Sequence, residues 1–511
     1  MAVLASSSTA AELRKGAQLV AVAQGVAGMS GQRTTERLLH DAVIVVPGIM
    51  GSVLRDVKSG KRLWGVRKLF QYSARTHEDR MRALSVSAEE RAGDTGRIEA
   101  TGLLDIAEWL PGLGGAQPYN QVVRELRQAA VDPKAVLPFP YDWRLSVEYN
   151  GALLADAARR HLKAWRDHAA HRHHLARHPE AGPARVLFVA HSMGGLLVRE
   201  LLYRGDLRHD IRAVMTVGTP FSGSVKAAVM LNSGKGGPLL LPPEVLRDVA
   251  PTMPGLYDLL PAYRALDDGR DTRIPTADDI VGLGGVRELA EATVSWRTTR
   301  QDTLLPGHVT VAGLGKKTLQ SYRMRGGTAV GQRFMPVRDR CDDRVLLDAE
   351  GRRRTEDRKG DGTVYQFAAR PRGSSAEPIT VFQDHTALAR SQSVIDQARG
   401  MLRGLSRPDE LGAMLGNGTF ALDVPEWAEP GTPFAIEVSG WDGSADLLCT
   451  AREVSGRDEV LYPELTPVPG EEGKLVAACV AGRPGLYEIE VVGGSEPVIQ
   501  LVLVAAAEQP A

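Results

Sequence analysis

The chain is short of cysteine: three occur in 511 residues, Cys341, Cys449 and Cys479. So odd and sparse a set builds no disulfide framework and fits a reducing compartment. A Cys449–Cys479 pair in the C-terminal part competes with the reading of two free buried thiols. Net charge is missing too, since Lys+Arg and Asp+Glu each number 62. No basic excess points to nucleic acid as a partner, and there is no acidic tail. No run of about 18 apolar residues reads as a transmembrane helix, and no repeat recurs at a solenoid period. A secretory signal is poorly matched. Arg14 and Lys15 precede "GAQLVAVAQGVAGM", but Gln18 and Gln24 interrupt the apolar stretch and Glu12 sits in the would-be basic region. Residues 1–40 read instead as a leader, poorly ordered or helical. The expected location is cytoplasmic, with peripheral contact at a membrane as a variant.

What the sequence does have is alternation. The length exceeds one compact core and predicts a large domain plus a smaller one. "AVIVVPG" (42–48), "RVLFVA" (185–190), "AVMTVG" (213–218), "VTVAG" (309–313) and "ITVF" (379–382) are continuous β-branched runs. Such runs suit strands buried on both faces of a parallel sheet. Helical patterns lie between them, at 119–129, 152–165 and 195–204. Strand alternating with helix predicts an α/β fold with a mostly parallel sheet over residues 41–405. Residues 55–115 and 225–300 break the pattern. The first is charged with few strong strands; the second is irregular and Pro/Gly-rich. Insertions of that length predict lids or binding loops. A linker is expected at 406–418. Short alternating runs then fill 419–511, which predicts an all-β, Ig-like sandwich.

The chemistry concentrates at "VLFVAHSMGGLL", where Ser192 ends a strand and opens a helix. That is the setting of a G-x-S-x-G elbow, with Ala190 in place of the first glycine. The turn strains the serine backbone and exposes Oγ at the carboxyl edge of the sheet. Gly194 and Gly195 let strand and helix pack closely, and the amide of Met193 at the helix start is one candidate oxyanion donor. A nucleophilic serine needs a base and an orienter, which in this fold class follow in the order Ser, acid, His. His385 in "QDHTAL" follows the strand "ITVF". Among later histidines, His209 lies close to the elbow's helix and His308 precedes a strand. Of the acids Asp342, Asp343, Asp348, Asp361 and Asp384, Asp361 sits between two glycines in "KGDGTV", a tight turn that aims a carboxylate at one spot. Asp384 is adjacent to His385 and its side chain diverges from it. The second oxyanion donor is expected from Met50 in "VVPGIMGSVL" (45–54), where Gly48 and Gly51 let the backbone turn its amides inward.

"VVPGIMGSVL", "FPYDWRLS" (139–146), "AHSMGG", "VGTPFSGSVKA" (217–227), "GDGTV" and "DHTAL" occur together and in order. In this the chain resembles the lecithin:cholesterol acyltransferase-like family of α/β-hydrolases, which includes lysosomal phospholipase A and phospholipid:diacylglycerol acyltransferase. The resemblance spans about 42–400. It implies Ser192, Asp361 and His385 as a catalytic triad, with Met50 and Met193 as oxyanion amides. It also implies Tyr141, Asp142, Trp143 and Arg144 as a structural segment near the acyl site. Trp64 takes the place of a lid tryptophan that contacts acyl chains or membrane. The chain departs from the family at Ala190, in the lack of cysteine between residues 50 and 110, and in a C-terminal β region without counterpart in the animal enzymes.

The resulting expectation is a serine hydrolase acting on acyl lipids or esters, needing neither metal nor organic cofactor. An O-acyltransferase passing the acyl group to an alcohol is the neighbouring alternative. A third reading is an inactive hydrolase scaffold that binds a protein partner through its β region. Other features take plainer readings. "HAAHRHHLARH" (168–178) reads as a solvated helix end, "GRRRTEDRKGDG" (351–362) as an exposed turn, and "NSGKGGP" (232–238) lacks P-loop spacing. "DIAEWLPGL" (105–113) reads as either a membrane-facing amphipathic piece or a core edge.

Overall fold

The computed structural model describes residues 40–65, 79–104, 119–205, 207–236, 243–339, 341–374, 377–402, 420–425, 427–443, 446–454, 459–493 and 497–505. The leader, the 105–113 segment and the expected linker lie outside them, apart from residue 40. The central sheet consists of β1 (Ala42–Val46), β2 (Val136–Pro138), β3 (Val186–His191), β4 (Ile211–Val217), β5 (His308–Gly313) and β6 (Ile379–Val381). Its order is β6–β5–β4–β3–β1–β2, and every pairing is parallel. This is the α/β-hydrolase arrangement. β1 and β3 are buried along nearly their whole length, which is why they read as unbroken apolar runs. β2 is hidden in the sequence by Pro138. Proline is tolerated there because β2 is an edge strand with its far side unpaired.

The principal helices are α1 (Asn120–Ala129), α2 (Val147–Arg166), α3 (Met193–Tyr203), α4 (Val225–Ser233), α5 (Arg287–Arg300) and α6 (Gln392–Leu402). α3 is buried on nearly every face. It runs behind the sheet, and α5 fastens to it where the Trp296 indole donates to Glu200 at 2.9 Å.

Both expected insertions hold more regular structure than their composition predicts. In the first, strands Ser52–Asp56, Arg62–Trp64 and Ile98–Leu103 form an antiparallel sheet. In the second, residues 225–300 are largely helical, with short helices Pro243–Val249 and Ala277–Gly282 between α4 and α5. Charged faces and prolines at helix starts hide the periodicity of both. The histidine-rich stretch also differs from expectation. His168 caps the helix Ala169–Arg177, and His171 is buried, packed by Trp165 and held by the Arg166 carbonyl and the Ala184 amide. Among the described residues no cluster of three metal-ligating side chains forms, and no helix is long and apolar enough to cross a membrane.

The C-terminal region is a sandwich of a four-stranded and a five-stranded sheet. Strands such as Phe434–Ser439 and Lys474–Cys479 alternate buried with exposed residues. Ile436, Val438 and Leu475 of one sheet face Tyr487, Ile489 and Val502 of the other in a separate apolar core. Cys449 and Cys479 lie in this core as free thiols.

One buried ion cluster joins the first insertion to the "PYDWR" segment. Arg144, fully buried, donates to Asp142 at 2.6 and 2.9 Å and to Glu90 at 2.9 Å. Glu90 also forms the capping box of the helix Ala88–Arg91 with Ser87. Replacing Arg144 by methionine leaves the buried Asp142 without its cationic partner, while Glu90 keeps Arg97. Arg144→Met is expected to lower the unfolding free energy by about 3–5 kcal/mol, read from urea unfolding; a change below about 1 kcal/mol would show that the cluster is solvated.

Candidate active site

Three loops meet at the carboxyl edge of the sheet. The strand order turns in opposite directions on the two sides of β1 and β3, so the loops that follow these strands diverge and leave a crevice between them, the place where open α/β sheets bind ligands. Ser192 sits at the end of β3 with φ 52° and ψ −128°, a conformation that non-glycine residues rarely adopt. It persists because the surroundings fix it. The Ser192 amide donates to Val217 at 2.8 Å, and Ala190 is held in register between Val46 and Thr216. Ala190 is fully buried, so the methyl that departs from the usual glycine is accommodated in the sheet. The Ser192 side chain makes no cap bond to α3 and is free to point elsewhere.

It meets His385. The distance from Ser192 Oγ to His385 Nε2 is 2.9 Å, and from His385 Nδ1 to Asp361 Oδ2 it is 2.7 Å. A carboxylate accepts, so Nδ1 carries the ring proton and Nε2 accepts from the serine hydroxyl. Asp361 is 2% exposed. Its other oxygen accepts from the amides of Thr363 at 2.9 Å and Val364 at 2.6 Å, which fixes the carboxylate plane. The His385 amide donates to the Asp361 carbonyl, a second tie between the two loops. Asp384 points away from the ring and caps the short helix His385–Leu388 through the amides of Thr386 and Ala387.

The loop after β1 passes directly over the serine. A Cβ on Gly48 would stand 2.8 Å from Ser192 Cβ, so only glycine fits. Met50 has φ 62°. The loop's polar groups are held from outside: the Met50 carbonyl by the Trp64 indole at 2.7 Å, the Pro47 carbonyl by the Tyr141 hydroxyl at 3.0 Å, and the Ser52 carbonyl by the Trp143 indole at 3.3 Å. Met193 is the first residue of α3, whose amide has no partner within the helix. Trp64 is 3% exposed and packs edge-on against Trp143. It lines the cavity in front of Ser192. Tyr141 and Trp143 are buried supports of the loop and its following strand, Asp142 is the buried partner of Arg144, and none of the three is among the residues lining the cavity.

Sequence reasoning missed a second hydrogen-bonded line beneath the first. The Gly48 amide donates to Tyr119 Oη at 3.0 Å, Tyr119 Oη lies 2.8 Å from His191 Nδ1, and His191 Nε2 lies 2.9 Å from the His385 carbonyl. The carbonyl only accepts, so Nε2 carries the proton and the Tyr119 hydroxyl donates to Nδ1. His191 thereby ties the loop after β1 to the backbone of His385. The only signal in the sequence was a polar side chain at the end of a buried strand.

A cavity of about 540 Å³ opens in front of Ser192 and His385. Ile49, Met50, Trp64, Leu104, Met230, Leu256 and Leu259 make much of its wall apolar.

Known proteins bear on this arrangement. Residues 90–278 match the lecithin:cholesterol acyltransferase family model. The matched span is less than half of the chain and includes Ser192. An uncharacterized protein of Saccharomyces cerevisiae is 25% identical over 190 residues, 36% of this chain and 23% of that protein, so the match spans under a quarter of its relative. The Tle4–Tli4 complex contains a chain similar in structure, with TM-score 0.43 and 14% identity, covering 73% of this chain and 98% of that one. The mature lipase BlEst2 of Bacillus licheniformis is similar with TM-score 0.32 and 11% identity over 73% of this chain and 96% of that one.

The buried line through His191 has a pH signature. Burial first, and the neighbouring His385 ring second, push the His191 imidazole down to about 3. An unfolded histidine titrates near 6.5, so on acidification the unfolded chain takes up the proton first. The stability that neutral His191 contributes is complete above about pH 6.5 and is lost progressively as pH falls toward about 3. Histidine NMR should show one His191 ring held as the Nε2–H tautomer from pH 8 down to 5. A ring that titrates near 6.5 would contradict the assignment.

Proposed function

We propose that this chain is a serine hydrolase of acyl esters that works through Ser192, His385 and Asp361. The observation that carries the proposal is the unbroken hydrogen-bonded line from Asp361 to His385 to Ser192, ending at an apolar cavity. His385 Nε2, already the acceptor of the serine hydroxyl, takes its proton as Oγ attacks the ester carbonyl. Asp361 holds the ring and stabilises the imidazolium that forms. The amides of Met50 and Met193 bind the oxyanion, each such donor being worth roughly 3 kcal/mol in the transition state. Collapse breaks the carbon–oxygen bond to the alcohol, which leaves with the proton from His385 and leaves the acyl group on Ser192. Water or a second alcohol then takes that group by the reverse sequence.

The apolar cavity wall and the family match over 90–278 support an acyl lipid as the ester, whether the enzyme acts as lipase, phospholipase or acyltransferase. The hydrogen-bonded line ending on a strained serine supports an active enzyme over an idle scaffold.

A fluorophosphonate probe should label the wild type at one site and leave Ser192→Ala unlabelled. Asp361→Asn should keep the fold and lower kcat by roughly 10⁴-fold, since the amide favours the wrong ring tautomer. Ester hydrolysis that survives in Ser192→Ala would end the proposal. Product analysis with and without added alcohol separates hydrolysis from acyl transfer.

A further inference from the structure

The sandwich packs against the same loops that carry the acid and the histidine. Lys316 follows β5 and is 3% exposed. Its ammonium donates to the Leu422 carbonyl and, at 2.6 Å, to Gln500 Oε1. Gln500 Oε1 also accepts from the Val424 amide at 3.0 Å, so one amide oxygen joins two strands of the sandwich to the hydrolase loop. The Lys316 backbone amide donates to the Gly360 carbonyl at 2.9 Å, one residue before Asp361. After β6, Gln383 donates to the Pro497 carbonyl at 2.8 Å, two residues before His385. Lys317 pairs with Asp423 and with Glu437. The sandwich thus stands on the His385 side of the site, and its Leu486, Leu501 and Leu503 line the cavity that holds Ser192.

Chemistry gives that side a meaning. In the mechanism proposed above, on which this inference rests, His385 delivers its proton to the departing alkoxide, so the alcohol half of the ester lies next to His385. The acyl half and the oxyanion lie toward the loop after β1. We propose that the sandwich is the alcohol-side wall of the site, with Leu486 and Leu501 as specificity-determining residues for esters of apolar, uncharged alcohols. The bound state of the two lysines points the same way. Lys316 is committed to Leu422 and Gln500, and Lys317 to Asp423 and Glu437. Both ammonium groups thus already face oxygen atoms, those of Lys317 being carboxylates that would repel a phosphate on the alcohol moiety. Burial lowers the Lys316 ammonium to about 8, in keeping with a dry junction.

The step balances without a further reactant. The bond from Ser192 Oγ to the acyl carbon forms and the bond from that carbon to the alcohol oxygen breaks. The serine proton passes through His385 Nε2 to that oxygen, and the neutral alcohol departs along the leucine wall.

The test uses the full chain and three esters: methyl acetate, octyl acetate and methyl octanoate. The octyl-to-methyl acetate ratio of kcat/KM reads the alcohol side; the methyl octanoate-to-acetate ratio reads the acyl side. Leu501→Gln is expected to lower the first ratio about tenfold and the second less than twofold, with Leu501→Ile restoring the first. Leu486→Ala should shift the same ratio in the same direction, which keeps the test decisive if Leu501→Gln does not fold. A fall in the acyl-side ratio, or an equal fall in both, overturns the proposal. Failure of the underlying catalytic reading looks different: the wild type then turns over none of the three esters, or Ser192→Ala turns them over as well as the wild type does.

Discussion

The site depends on one close approach. The backbone at Gly48 passes over Ser192 with room for a hydrogen and nothing larger. This crossing sets the distance between the loop after β1 and the turn after β3, and so the width of the crevice in which a carbonyl group would sit. Glycine makes the approach sterically open, but it would also leave the loop conformationally loose. The surrounding residues remove that freedom. Tyr119 holds the Gly48 amide, Tyr141 the Pro47 carbonyl and Trp64 the Met50 carbonyl. Each is a large, well-buried side chain whose polar tip finds one backbone group, which is how aromatic residues are accommodated in an interior.

The strain at Ser192 is carried in the same way. A serine at φ 52° is costly. The cost is offset by a sheet that is buried on both faces and by α3, which is buried on nearly every side. Gly194 in the first turn of α3 shows how tight that packing is, because a Cβ there would stand 2.6 Å from the carbonyl oxygens of Val46 and Pro47. The pairing of β3 between β1 and β4 therefore does two jobs at once: it fixes the elbow and it seats the helix that begins at Met193.

The sequence made part of this legible and hid the rest, for reasons that can be named. β1 and β3 are continuous apolar runs, as strands buried on both faces must be, and β4, β5 and β6 show the same β-branched character in the sequence. β2 is three residues long, lies at the edge and ends in Pro138, so no pattern announces it. Ser192 and His385 each follow a recognisable strand and Asp361 stands between two glycines, so local text was enough to single them out as candidates. Tyr119 and His191 were not visible in that way. Their partners lie 71 to 194 residues away in the chain, and the bonds between them exist only after the sheet has brought the loops together. The short helices within 225–300 were obscured by a different effect, since helices of four to seven residues that begin at prolines or at a threonine cap bury too few residues to show a stripe.

The departure at the C-terminus changes what can cover the site. The first insertion is braced to the core through the fully buried Arg144, so the described part of it is rigidly joined to the loop after β1. On the opposite side the neighbour is a sandwich with a core of its own, attached through a few polar bonds to the loops that hold Asp361 and His385. A wall built in this way can change its lining without disturbing the hydrolase core, because Leu486 and Leu501 lie on strands that the separate apolar core stabilises. One anchoring bond ends on Gln383, two residues before the histidine, and those to Lys316 reach the acid through the Lys316 amide on the Gly360 carbonyl. A shift of the sandwich therefore bears on the Asp361–His385 pair and on the width of the cavity together, since the anchoring Gln500 and the lining Leu501 are neighbours on one strand.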